Sequence, residues 1–201
     1  VQGLRERKKA ATRQAISNVA TRLFMERGFE QVTVAEIAAA AAVSVKTVFN
    51  YFGSKEELFF DREAEILEGM IRILGERGPH VSATAALRPL LLERPLPFEG
   101  CFRWSELRGD VYEQVRAFVA CELASPALSG RRLVVAQSWL PPLARESGSE
   151  AWAAMFIAVL SLRHHLLAAS LLERRTAATI ERRVRSRVGE ALDALERAFP
   201  A

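Results

Sequence analysis

Thr33-Val34-Ala35-Glu36-Ile37-Ala38, then Val43-Ser44-Val45-Lys46-Thr47-Val48-Phe49-Asn50-Tyr51-Phe52, is the stretch that decides the fold. Thr33 and Glu36 stand three residues apart, just ahead of apolar positions. That is the capping-box pattern: the hydroxyl accepts the third amide of a helix and the carboxylate returns to the amide of the cap. Ser44 is a second N-cap only a few residues later. The spacing predicts one short helix over Val34–Ala41 and another over Val45–Phe52, with Val43 anchoring the tight turn between them. Two short capped helices about such a turn form a helix-turn-helix, here spanning about 33–52.

The pattern stays helical on either side. Ile16, Val19, Ala20, Leu23 and Phe24 recur at helical spacing, so Arg7–Arg27 reads as a first helix. Gly28 closes it, because glycine tolerates the backbone turn without a Cβ clash. Gly53 ends the second short helix, and Ser54-Lys55-Glu56-Glu57 reads as a further capping box opening a helix to about Leu74. Downstream, Gly75–Pro79 breaks the chain, Ser82–Leu92 can be helical, and Arg94–Gly100 reads as a loop. Further helices are expected at about Ser105–Leu123, Gly130–Glu146, Ser149–Glu173 and Ala177–Phe199, with Pro141 and Pro142 kinking or breaking the second of these. Alternating β-branched runs are absent, so the fold class is all-α. Residues 1–60 read as a three-helix helix-turn-helix domain and 61–201 as a larger helical domain.

The second short helix divides its residues. Val48, Phe49 and Phe52 are assigned to the packing side, and Lys46, Thr47, Asn50 and Tyr51 to the other. The outer set offers donors and hydroxyls and no carboxylate, as a helix entering the major groove requires. The net charge of +4 and the basic residues Arg5, Arg7, Lys8, Lys9 and Arg13 lean toward a polyanionic partner.

These residues, with Leu23-Phe24, Gly28-Phe29 and Ser54-Lys55-Glu56-Glu57-Leu58, resemble the DNA-binding domain of the TetR (tetracycline repressor) family over about Thr12–Phe60. The resemblance implies a double-stranded DNA operator as partner. It implies phosphate or backbone contacts from Thr33, Ser44, Thr47, Asn50, Tyr51 and Lys55, with Val45 and Lys46 deepest in the groove. There Lys46 would donate to guanine and Val45 would touch a thymine methyl. Two positions depart from the family: Phe49 stands where Tyr is frequent and Ala42 where Gly is common.

The family also implies a homodimer through the last two helices and a cavity for an unknown small apolar ligand. Ala151–Leu172 is apolar nearly all round, as a helix buried against its own domain and a partner would be. Ile180, Val184, Val188, Leu192, Leu195 and Phe199 form a stripe on the final helix, with Arg182, Arg183, Arg185 and Arg187 opposite. Met70, Trp104, Phe118, Trp139, Met155 and Phe156 are candidate cavity residues that would serve equally as core. Arg163, His164 and His165 interrupt the apolar run, so no membrane span is read. The basic N-terminus is followed by no apolar signal core, and the two cysteines, Cys101 and Cys121, do not make a disulfide framework, so a cytoplasmic setting is expected. No catalytic, cofactor or metal motif is found; His164-His165, His80 and the cysteines lack ligand spacing. The expected function is therefore a repressor released from a palindromic operator by a ligand. A regulator without a small ligand, an activator and an enzyme are the alternatives.

Overall fold

Three hydroxyl caps set the helices of the N-terminal unit. In the computed structural model, which describes residues 3–95 and 103–201, the elements there are α1 (Leu4–Arg27), α2 (Val34–Ala40), α3 (Val45–Tyr51) and α4 (Lys55–Phe59). Thr33 and Glu36 make the full capping box on α2. The Ser44 hydroxyl accepts the Thr47 N–H at 3.0 Å, and the Ser54 hydroxyl accepts the Glu57 N–H at 3.3 Å. Caps of this kind stabilise by about 1 kcal/mol each. At Ser54 the box is altered: the Glu57 carboxylate accepts from the Gly53 N–H at 2.7 Å and not from Ser54. Gly28 ends α1 with φ +85°.

Phenylalanines hold this unit together. Ile16, Ala20 and Phe24 of α1 meet Ile37 and Ala38 of α2, Val48 and Phe52 at α3, and Leu58, Phe59 and Phe60, all buried. Phe24 and Phe29 lie 5.0 Å apart between ring centroids, and Phe118 stacks on Phe59 at 4.2 Å. Each buried ring contributes about 1.5–3 kcal/mol through lost water contact.

The helix expected from Ser54 to Leu74 is broken. α4 stops at Phe59 and α5 (Glu63–Gly75) starts anew. Leu58, Phe59 and Phe60 are all buried, and three successive side chains of one continuous helix cannot point the same way. The break turns all three inward. It is tied by Asp61, whose carboxylate accepts from the Ser17 hydroxyl and whose carbonyl accepts from Arg13 at 3.2 Å.

The chain divides into two units, residues 1–61 with 117–131, and residues 62–116 with 132–201. The segment 117–131, which the sequence reading gave to the second domain, thus belongs to the first. Its reasons are visible within that unit. Phe118 stacks on Phe59, Cys121 and Leu128 join the core, and the Ser125 hydroxyl donates to Glu30 at 2.5 Å.

The second unit is built from α5, α6 (Ala83–Leu92), α9 (Leu140–Ser147), α10 (Glu150–Leu172) and α11 (Ala177–Ala198). It also holds parts of α7 (Gly109–Ala124) and α8 (Pro126–Ser138) and a short 3-10 turn at Trp104–Glu106, where a helix from Ser105 was expected. Trp139 separates α8 from α9 just before Pro141 and Pro142, which sit in the first turn of α9, where missing N–H groups cost nothing. Trp152 stacks on Phe156 at 4.8 Å and donates to Thr84 at 2.8 Å. Ile180, Val184, Val188, Leu192 and Leu195 are buried against this core. Arg163, on α10, is also buried, with its guanidinium donating to the Leu91 carbonyl at 2.8 Å. Cys101 and most of the expected Arg94–Gly100 loop lie outside the described residues.

Ala42, between α2 and α3, holds φ at +53°, a left-handed conformation costing an L-residue about 1–2 kcal/mol. Glycine removes that cost and gives back about 0.5–1 kcal/mol in unfolded-chain entropy. Ala42→Gly is therefore expected to stabilise by about 0.5–1 kcal/mol. Urea unfolding checks this by a raised midpoint at unchanged slope; a lowered midpoint contradicts it.

Candidate nucleic-acid interface

Rotation of α3 about its axis is fixed by Val48 and Phe52, 1% and 2% exposed. What they leave outward follows from 100° per residue. Val45, Lys46, Phe49 and Asn50 fall within about 140° of arc and are all exposed. This face holds no carboxylate. Among the described residues no hydrogen bond or ion pair engages Lys46 or Asn50. Thr47 is half-buried, its hydroxyl 2.8 Å from that of Ser44. Tyr51 is half-buried against the core.

Phe49 corrects the sequence reading. It was assigned to the packing side, yet its ring is 50% exposed. Val48 and Phe52 already fill the inward arc, and Phe49 falls on the flank beside Val45, four residues earlier on the same strip.

Two expected phosphate contacts find their groups engaged. The Thr33 N–H and hydroxyl both donate to the Glu36 carboxylate at 2.8 Å, and Arg27 pairs with that carboxylate at 2.7 Å. The Lys55 ammonium stands 4.2 Å from the centre of the Phe29 ring, a cation–π contact worth about 0.5–1 kcal/mol at a partly open site. Arg5, Arg7, Lys8 and Lys9 lie exposed on the first turns of α1, and Arg13 itself is folded over the Phe52 ring at 4.2 Å.

The six candidate cavity residues are divided between the two units. Met70, Trp104 and Phe156 are buried in the second unit, where the Trp104 indole donates to the Leu92 carbonyl at 2.8 Å. Trp139 is half-buried at the start of α9. Phe118 is a core residue of the first unit, claimed by Phe59. Met155 is 47% exposed on the outer side of α10, because Trp152, Phe156 and Val159 take the inner side. A cleft of about 520 Å³ in the second unit is lined instead by Leu74, Arg77, Val81, Glu146 and Trp152, among others.

One signal went unread. Ala151, Met155, Ala158, Leu162, His165, Ala169 and Leu172 repeat at spacings of four and three along α10, and all are exposed except the half-buried Ala169. This is the seam pattern of helix pairing. It was hidden because the whole helix is apolar and every phase of the period scores alike. α10 is also the described helix long and apolar enough to cross a membrane, although its inner face is packed in the unit.

Comparison with known proteins bears on this geometry. Residues 16–61 match the family described as bacterial regulatory proteins, tetR family. The HTH-type transcriptional regulator TcmR of Streptomyces glaucescens is 36% identical over 93 residues, 44% of this chain and 41% of that protein. The HTH-type transcriptional repressor AcnR of Corynebacterium glutamicum is 30% identical over 109 residues, 54% of this chain and 53% of that protein. The matched part thus spans about two fifths to one half of these relatives. Among solved structures, the complex of SmeT with triclosan superposes with a TM-score of 0.55 at 18% identity, covering 95% of this chain and 92% of that one. SmeT is the repressor of the Stenotrophomonas maltophilia multidrug efflux pump SmeDEF, and the likeness is one of fold.

The Thr33–Glu36 box makes a pH prediction. The Thr33 N–H, then its hydroxyl and the Arg27 guanidinium, hold the Glu36 carboxyl at about 2, below its usual 4.5. A lowered folded-state value stabilises above the unfolded value and is lost as pH falls through the folded one. The stability advantage of the wild type over Glu36→Gln is expected to be full at neutral pH and to fade as pH falls from about 4.5 to about 2. Thermal melts of both proteins across that range measure it; a gap that stays constant contradicts the assignment.

Proposed function

We propose that this chain, which carries the tetR-family N-terminal domain on residues 16–61, is a sequence-specific DNA-binding transcription regulator. It works as a homodimer and represses from a palindromic operator until a small apolar ligand releases it. The single observation that carries this reading is the outward face of α3, exposed, free of acids and fixed by Val48 and Phe52. A helix in the major groove needs donors at base edges and no like charge facing phosphates.

In this reading the first unit is the DNA reader. Lys46 donates to guanine O6 or N7, and Val45 contacts a thymine methyl. Asn50 projects beside Lys46, and Ser44, Thr47 and Tyr51 hold the sugar-phosphate backbone from the edges of the helix. Lys55, whose ammonium lies over the Phe29 ring, still has N–H donors to offer a phosphate, and Thr33 contributes by capping α2. The exposed basic residues on α1 add attraction that salt screens.

Two reading heads on a palindrome require a dyad. The exposed seam on α10 supports pairing there, because burying Met155, Leu162 and Leu172 removes apolar surface that the single chain leaves in water. The stripe on α11 is already used within its own unit and leaves the arginine face outward. That SmeT, a protein of the same fold, forms a complex with triclosan supports a small ligand. A regulator without a small ligand is the second reading. It is favoured by the exposure of Met155 and by Phe118 being stacked on Phe59 in the first unit, and a thermal-shift screen with apolar compounds separates the two.

Binding to duplexes carrying the protein's own promoter region, titrated in salt, tests the reading. Affinity is expected to fall linearly with the logarithm of salt concentration, and salt-insensitive or absent binding overturns it. Lys46→Ala is expected to cost about 1–3 kcal/mol and to relax preference at one base pair. A uniform loss on every sequence would instead assign Lys46 to phosphate. Leu162→Lys is expected to shift the protein from dimer to monomer in sedimentation and to weaken operator binding; a dimer that persists unchanged removes α10 from the interface.

A further inference from the structure

Phe49 is left out of a core built from its own kind. Phe24, Phe29, Phe52, Phe59 and Phe60 are all at most 8% exposed, whereas Phe49, in the same unit, is 50% exposed. Val45, one turn earlier on the same flank, is 41% exposed. Helix residues four apart stack side by side, so the two make one apolar strip beside Lys46 and Asn50. A benzyl ring has no hydrogen-bonding group to offer a phosphate. It gains free energy on binding mainly by leaving water against another apolar surface.

We infer that Val45 and Phe49 together read thymine, packing on the C5-methyl groups of neighbouring thymines in the major groove. This rests on the DNA-reading proposal above and names the chemistry that the same face selects. Charge supports the occupant, since α3 carries Lys46 and no acid, which fits a polyanion. Groove chemistry narrows it further. Each base pair presents donors and acceptors along the major groove, and the thymine methyl is the apolar group among them. A strip of two apolar side chains therefore discriminates for thymine on that flank, while Lys46 and Asn50 address polar edges next to it. Losing one buried methyl is worth about a fourfold change in affinity.

The test uses the full-length chain and duplexes it retains from a random-sequence library. Each thymine is replaced in turn by deoxyuridine, which removes the methyl and leaves the base-pairing edge intact. One or two positions in each half-site are expected to lose about fourfold in affinity. In Phe49→Ala the loss at one of these positions disappears, and in Val45→Ala the loss at its neighbour does. Phe49→Leu keeps an apolar side chain and retains the sensitivity, which separates readout from any folding defect. Selected duplexes that bind equally with thymine and uracil at every position overturn the inference and leave DNA reading standing. So does a Phe49→Ala variant that weakens both forms by the same factor, as a ring covered by a protein partner or by the sugar-phosphate backbone would. Failure to retain any duplex removes the DNA-reading proposal and this inference with it.

Discussion

The burial of Val48 and Phe52 is the constraint on which the rest depends. α3 is only seven residues long, so it has no stability of its own and takes its orientation from what it buries. Once those two side chains are seated among Phe24, Phe59 and their neighbours, the other residues have no choice of direction. Lys46 and Asn50 point away, Val45 and Phe49 lie along one flank, and Thr47 and Tyr51 lie along the other. Packing energy spent in the core thus becomes positional accuracy on the surface. Ala42 contributes at the turn, where its positive φ lets α3 follow α2 so closely.

In the second unit the same logic explains what is covered and what is left open. The inner side of α10 is occupied by Trp152, Phe156 and Leu167, and buried Arg163 anchors it by donating to the carbonyl of Leu91. The stripe on α11 is buried from Ile180 to Leu195, with Phe199 half-buried at its end. Left in water, besides Leu133 and Val134 of α8, is the outer side of α10, where small residues alternate with Met155, Leu162 and Leu172. A helix with apolar residues on both sides needs two partners, and its own unit supplies one.

Much of this was legible in the sequence because caps and turns are local. Thr33, Ser44, Ser82 and Ser149 each accept the N–H three residues on, as short polar side chains at helix starts do. The break before Pro141 follows equally from proline chemistry. Misreadings arose where the deciding contact is distant in sequence. Phe118 is claimed by Phe59, and nothing near position 118 announces it. The helix expected through Phe60 breaks because three successive apolar side chains are all required by one core. Phe49 was placed inward on hydrophobicity alone, although its angle on the wheel, between Val45 and Lys46 and farther than Val45 from the buried strip, already gave it a solvent edge.

Surface features that arise from what the core excludes are the hardest to read from sequence, and they are where recognition takes place. The account's central claim is that the exposed side of α3 lies against base edges. A crystal structure of the full chain on a duplex it selects measures this most directly. The account predicts α3 inside the major groove, with Lys46 within hydrogen-bonding distance of a base edge and two protomers related by a dyad. A complex in which α3 stands clear of the groove, or in which Val45 through Asn50 face another protein surface, would contradict it.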